Sequence, residues 1–240
     1  MSARMAWPGA LCLIAVTLPA IASTTGLNTI PTTDLVPQHS WVGQIQNSNL
    51  SFHTPSLFVK PDPIVQTEYS FGSRTEWGID YIQPPDLDRR VFTINIKELV
   101  QNEDSLRPNV AVGIGNLTLR QQPGYFLTFS KTLNYNEQMR ERFRAHHRRN
   151  RKLLGRRVHF GVMLDGHGTL EPFLGTDLQL NDSTVFQMDW INGAGNAITA
   201  GFVYVCPDQR TVLNPALLIS NDTHRLDGFF LNLSHQFNIK

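Results

Sequence analysis

Apolar and polar residues alternate with a period of two along most of this chain. Thr75, Trp77, Ile79 and Tyr81 oppose Glu76, Gly78 and Asp80, and Phe92, Ile94 and Ile96 oppose Thr93, Asn95 and Lys97. Val158, Phe160, Val162 and Leu164 oppose His159, Gly161, Met163 and Asp165. Leu174, Thr176, Leu178 and Leu180 oppose Gly175, Asp177 and Gln179, while Phe186, Met188 and Trp190 oppose Val185, Gln187 and Asp189. The last stretch sets Phe229, Leu231, Leu233, His235, Phe237 and Ile239 against Phe230, Asn232, Ser234, Gln236 and Asn238. Period two is the signature of a strand with two unlike faces. From residue 39 onward it predicts about twelve strands, near 40–48, 63–72, 74–83, 90–99, 109–119, 124–134, 157–166, 170–180, 183–192, 197–206, 211–220 and 227–239. Turn signals separate them, among them Gly72-Ser73, Asn181-Asp182-Ser183 and Pro207-Asp208-Gln209. Pro55, Pro61 and Pro63 crowd the join between the first two strands, where proline cannot donate to a ladder.

Alternation alone fits two architectures. A soluble β-sandwich turns its apolar face inward, and a membrane barrel turns it outward. Three features favour the barrel. Charges and glycines share the polar face in mid-strand, as Glu76 with Gly78 and Asp80. Aromatics gather near strand ends: Trp41, Tyr69, Trp77, Tyr81, Tyr125, Trp190 and Tyr204. The terminal strand carries its aromatic, Phe237, where barrel-closing strands carry theirs. The N-terminus reads as a signal peptide over 1–22, with Arg4, an apolar run Ala10–Leu18 and a small-x-small site Ala20-Ile21-Ala22. That run is too short for a membrane-spanning helix, and Leu11 before Cys12 is too bulky for a lipidation signal. Cleavage leaves residues 23–240 with one cysteine, Cys206, so no internal disulfide forms.

Residues 23–38 are polar and proline-punctuated and read as an extended lead-in. Thr25-Gly26-Leu27, Ile30-Pro31-Thr32, Asp34 and Pro37 resemble the opening of an uncharacterised bacterial outer-membrane β-barrel family, whose mature chains begin T-G-L-x-x-I-P-T-x-D. Thr75–Tyr81 and Arg107–Asn116 resemble the same family, and the final strand resembles the closing strand of such barrels. The resemblance implies an all-β, antiparallel, up-and-down transmembrane barrel over 39–240, located in the bacterial outer membrane. The last strand would pair with the first, because lipid leaves no backbone group without an internal partner. Glu76, Asp80, Asn95, Lys97, Asp177, Gln187, Asp189, Asn232, Ser234 and Gln236 are then expected to face the lumen. Twelve strands about 4.8 Å apart and tilted about 40° give a radius of about 12 Å, which leaves a narrow channel or none.

Charge adds one anomaly. Residues 140–157 hold nine basic side chains against one acid, Glu141: Arg140, Arg142, Arg144, Arg148, Arg149, Arg151, Lys152, Arg156 and Arg157. Beyond them and Arg4, 11 basic residues face 19 acids. The insertion, 136–156, reads as a helix or loop, with Asn136 as a cap and Gly155 as a stop. Six strands follow it, so it lies on the same side as the C-terminus, which is the periplasm in such barrels. Three readings stand open: a solvated loop, a helix folded back to plug the acidic lumen, and a site for an anionic periplasmic or cell-wall partner. Nucleic acid is excluded as a partner by the export signal.

Chemistry is sparse. His146 and His147 are adjacent and diverge on a helix, so no metal site is predicted, and no cofactor motif is present. The His-x-Ser pair of lipid-cleaving barrels is missing, although a long-range triad leaves no sequence trace. The function expected is therefore a narrow pore or structural envelope component. It would contact outer-membrane lipid and the barrel-assembly machinery through its C-terminal strand. A soluble periplasmic β-sandwich binding module and a barrel enzyme acting on lipids are the alternatives.

Overall fold

The computed structural model describes residues 26–51, 64–83, 89–118, 123–133, 156–166, 168–193 and 196–238. Twelve strands are present: β1 Ser40–Ser51, β2 Ile64–Phe71, β3 Thr75–Ile82, β4 Val91–Gln101, β5 Asn109–Gly115, β6 Gly124–Thr132, β7 Arg156–Leu164, β8 Leu170–Gln179, β9 Thr184–Ile191, β10 Ala197–Val205, β11 Thr211–Ser220 and β12 Leu226–Asn238. Each pairs antiparallel with its sequence neighbours, and β1 pairs with β12, so the sheet closes into a barrel. The closing register runs from Ser40 opposite Asn238 to Ser51 opposite Gly228, with one bulge between Asn47 and Leu50. Closure leaves no sheet edge.

The barrel shears as it closes. Following directly opposed residues from Phe237 through Trp41, Tyr69, Trp77, Ile96, Ile114 and Tyr125 leads to Leu164 and Leu170. The row starts at the end of the barrel where β1 begins and β12 ends, the terminal end, and finishes at the opposite end. Tilted strands require this drift. Its first members form an aromatic collar, with Trp41 and Tyr69 ring centroids 4.8 Å apart and Tyr69 and Phe71 4.6 Å apart. By strand parity the end of β6 and the start of β7 lie at this same terminal end, together with the β2–β3, β4–β5, β8–β9 and β10–β11 turns. The β4–β5 turn is tightly built: Leu106 and Arg107 N–H groups and the Arg107 side chain all bind the Asp104 carboxylate. These bonds, first from the Arg107 backbone and side chain, hold its pKa at about 2.

Burial settles the choice between barrel and sandwich. Phe92 is 68% exposed, Leu174 54% and Ile45 52%, whereas Glu76 and Lys97 are 0% exposed. Apolar side chains cover the outside and polar ones fill the inside, the reverse of a soluble sandwich. At about 25 cal/mol per Å² of apolar surface, an outer belt of Leu, Ile, Phe and Val is stable only against hydrocarbon. The barrel is a transmembrane one, with the architecture of outer-membrane barrels.

Candidate functional site

The inner wall is built from alternate residues of every strand. Glu76, Asp80, Asn95, Lys97, Asp177, Gln187 and Asp189 are all buried on it, and Asn232, Ser234 and Gln236 are half-buried on its β12 side. The structure joins several of them directly. Asn95 Nδ2 donates to Asp80 Oδ2 at 2.5 Å, and Lys97 Nζ lies 3.3 Å from Glu76 Oε1.

The lumen they line is largely filled by the lead-in. The chain enters at the terminal end through a tight turn, in which Ser40 N–H donates to Pro37 O at 3.0 Å and His39 takes φ of 57°. From there, read backwards, it climbs inside the barrel. Val36 N–H donates to Glu76 Oε2 at 2.6 Å. The Asp34 carboxylate receives Arg157 Nη1 at 2.9 Å and Nη2 at 3.0 Å, and its carbonyl receives Lys97 Nζ. Thr33 N–H donates to Ser130 Oγ at 3.3 Å, and Thr128 Oγ1 to Pro31 O at 3.1 Å. Thr29 gives both its N–H and its hydroxyl to Asp189, at 3.0 and 2.8 Å.

At its deepest point the segment folds back on itself. Leu27 N–H donates to Ile30 O at 3.0 Å, and Gly26 bridges Pro31. Leu27 and Ile30 pack there against Phe126, Met163, Phe173 and Ile191. Leu35 packs lower down against Leu99 and Ala111. The wall is cut to receive the turn: a Cβ on Gly175 would lie 2.6 Å from both Leu27 Cδ1 and Ile30 Cδ1.

Electrostatics explain why this segment and no generic one fits. A buried ion left without a partner costs several kcal/mol. The lead-in brings a carboxylate to Arg157, a carbonyl to Lys97, an N–H to Glu76 and three donors, counting Asn28 through Thr199, toward Asp189. Arg157 also lies 3.8 Å from Asp177 Oδ2. Arg156 and Arg157 therefore leave the solvated basic segment in which charge counting placed them. Both belong to β7, where alternation turns Arg156 outward and Arg157 inward to 1% exposure. Arg140, Arg142, Arg144, Arg148, Arg149, Arg151 and Lys152 lie outside the described residues, as does the helix or loop expected over 136–155. The lumen acids invoked to attract that helix already have partners from the wall and the lead-in.

Three strands bring together a serine, a histidine and an aspartate that sequence spacing did not connect. Ser130 Oγ lies 2.8 Å from His159 Nδ1, and His159 Nε2 lies 3.2 Å from Asp177 Oδ2. The order is that of a nucleophile, base and orienting acid. Ser130 Oγ, however, accepts the Thr33 N–H, and all three side chains are buried against the lead-in. In this arrangement the triplet fastens the lead-in to the wall and has no room for an acyl substrate.

The lead-in does not fill the lumen evenly. Against β1, β2, β11 and β12 it leaves a cleft of about 90 Å³. Gln44, Gln46, Glu68, Asn214, Asn232, Ser234 and Gln236 line its wall side, and Asn28, Leu35 and Val36 its lead-in side. Arg210 lies at the terminal end of this cleft, in the β10–β11 turn. Sequence reading assigned Asn232, Ser234 and Gln236 to the lumen but gave the lead-in no role there. Four apolar residues in an otherwise polar segment, Leu27, Ile30, Leu35 and Val36, were the available signal.

By sequence the chain matches no protein-family model and no curated protein. By structure it is similar to the KdgM porin, with TM-score 0.48 and 8% identity over 83% of this chain and 99% of that one. It is also similar to the Acinetobacter baumannii outer membrane protein Omp33, with TM-score 0.45 and 8% identity over 85% and 99% of the two chains. A triple mutant of the Rhodopseudomonas blastica porin gives TM-score 0.39 and 11% identity over 73% of this chain, which spans 55% of that porin's length. The closed strand pairing and the apolar exterior, and not these likenesses, make this chain a closed, twelve-stranded transmembrane β-barrel.

Proposed function

We propose that the chain is an outer-membrane protein that forms a narrow pore or a structural wall element, with a lumen held nearly shut by its own residues 26–37. The observation that carries this reading is the seat of Asp34 on Arg157 inside a closed barrel with an apolar exterior. In this reading the signal peptide is removed after Ala22, so the working chain starts at Ser23. Its outer belt contacts lipid, and the C-terminal strand is the segment read by the assembly machinery. The basic segment at the terminal end faces the periplasm, where it meets anionic headgroups or cell-wall polymer. No lipid-cleaving role is assigned, because the one nucleophile–base pair described is closed off by the lead-in.

The test is reconstitution of the chain from Ser23 in planar bilayers, beside a version lacking residues 23–37. The intact barrel is expected to pass little or no current, and the shortened one to show large, steady openings. Equal conductance in the two would defeat the plug. A folded protein recovered in the soluble periplasmic fraction without detergent would defeat the membrane location, whereas heat-modifiable mobility in detergent gels supports it.

A further inference from the structure

Many of the bonds that seat the lead-in go to its main chain. Read from Val36 toward the tip, the wall offers an acceptor, a donor, an acceptor, a donor and an acceptor. Glu76 Oε2 takes the Val36 N–H at 2.6 Å, and Lys97 Nζ gives to the Asp34 carbonyl. Ser130 Oγ takes the Thr33 N–H at 3.3 Å, Thr128 Oγ1 gives to the Pro31 carbonyl at 3.1 Å, and Asp189 Oδ2 takes the Thr29 N–H at 3.0 Å. All five wall residues are buried. An extended peptide presents N–H and C=O groups to such a wall whatever its side chains. Two further demands fall on side chains. Arg157 holds the Asp34 carboxylate by two bonds. Phe126, Met163, Phe173 and Ile191 enclose Leu27 and Ile30, seven and four residues before that aspartate.

We infer that this seat is a binding site for extended peptides with an acidic side chain placed after two apolar ones at that spacing, and that residues 26–37 occupy it as a tethered stand-in. The inference rests on the barrel reading above and names what the emptied lumen takes. The seat belongs to the wall. The registers of β1 begin at Ser40 and Trp41, so the barrel closes without any lead-in residue. The lead-in is also unsealed along one flank, where the cleft of about 90 Å³ borders Gly26, Leu27 and Asn28 and again Asp34 to Pro37. A fatty acid would supply the carboxylate and the apolar end but none of the main-chain donors and acceptors, so a peptide is the class that fits. A tether holds the lead-in at an effective concentration on the order of millimolar. A free peptide therefore binds well only where the lead-in is absent or weakened.

The experiment is fluorescence anisotropy in detergent on the full chain from Ser23 and on the version lacking residues 23–37. The probe is a labelled peptide as long as residues 26–37, with leucine, isoleucine and aspartate at the spacing of Leu27, Ile30 and Asp34 and alanine elsewhere. Its all-D mirror image measures uptake by the detergent alone. The shortened chain is expected to bind the L-peptide saturably, and the full chain about tenfold more weakly or less. Lysine in place of the peptide's aspartate should weaken binding to the shortened chain about tenfold or more. Arg157→Gln and Gly175→Leu, the latter filling the space of the apolar pair, should do the same while keeping the heat-shifted gel mobility. Equal signals from the two mirror images overturn the inference, as does binding of the 26–37 sequence without binding of the alanine peptide. So does indifference to the aspartate, preference for decanoate, or unchanged binding in whichever wall variant folds. If the shortened chain does not fold, full-length Asp34→Ala takes its place, and binding no tighter than that of the wild type overturns the inference. A shortened barrel that conducts yet ignores the peptides leaves the plug standing and removes only its ligand class. Loss of the heat shift in the wild type removes the barrel itself.

Discussion

The seat of Asp34 on Arg157 allows a quantitative test of how firmly the lumen is closed. Two parallel bonds of 2.9 and 3.0 Å join a guanidinium that is 1% exposed to a carboxylate that is 14% exposed. Removing one partner of a buried pair costs about 3–5 kcal/mol, because the other charge is stranded. In Asp34→Ala, Arg157 still faces Asp177 at 3.8 Å, so the lower end applies, about 3 kcal/mol. That loss falls on the seated lead-in and not on the strand ladder. It raises the unseated population by about two powers of ten. Ile30, fully buried at the tip of the segment, is the reporter position. With Ile30→Cys in a Cys206→Ser background, labelling by a water-soluble thiol reagent tracks the fraction of barrels with the lead-in withdrawn. Asp34→Ala should speed labelling about 100-fold over that background, and Asp34→Asn by less, since the amide keeps one acceptor. An increase below threefold would refute the idea that this pair holds the lead-in, as would an equal increase from Asp104→Ala on the exposed β4–β5 turn.

Other consequences are simpler to measure. Gly175→Leu places a side chain where Leu27 and Ile30 pack, so it should open a steady current in planar bilayers without loss of heat-modifiable mobility; a silent barrel would contradict the assigned seat. Phe160→Asp puts a carboxylate on the lipid face beside Phe129, whose ring stacks 5.1 Å away, and should cost about 2 kcal/mol and lower the yield of assembled barrel, while Asp177→Asn on the inner wall should assemble normally. The reverse pattern in a detergent-gel assay would invert the two faces. Asp104 should titrate with a midpoint near 2 in an NMR pH series. Because its pKa is depressed on folding, its contribution to the turn is complete above about pH 4 and fades as pH falls toward 2; a midpoint near the ordinary 3.8 would show that the Arg107 and Leu106 bonds do not form.

The strands were legible because each is recorded locally. Period two survives in every one of them, and a one-residue slip would exchange all lipid-facing side chains for lumen-facing ones. Even the proline-crowded join between β1 and β2 did not hide the pair, whose register runs from Trp41 opposite Tyr69 to Gln46 opposite Ile64. The lead-in was not legible. Leu27, Ile30, Leu35 and Val36 follow neither period two nor the helical period, because the segment has no regular structure of its own. Its shape is imposed by partners 40 to 171 residues away, and no local rule registers them. Arg157 was obscured differently. It adjoins a run of arginines, and composition grouped it with them. Extending the inner face of β7 back from Met163, Gly161 and His159 reaches Arg157 and would have separated it from Arg156. The meeting of Ser130, His159 and Asp177 is visible only once three strands are in register.

The fold-back at Leu27–Ile30 has a consequence for the order of events in biogenesis. The segment precedes every strand in the chain, yet its anchors lie on β3, β4, β6, β7, β9 and β10. It has nothing complete to bind until most of the wall exists. It is also continuous with β1, which forms the seam with β12. Zipping that seam and drawing the segment inward are thus parts of one late step of very high contact order, and the seated segment marks a barrel whose every strand has arrived.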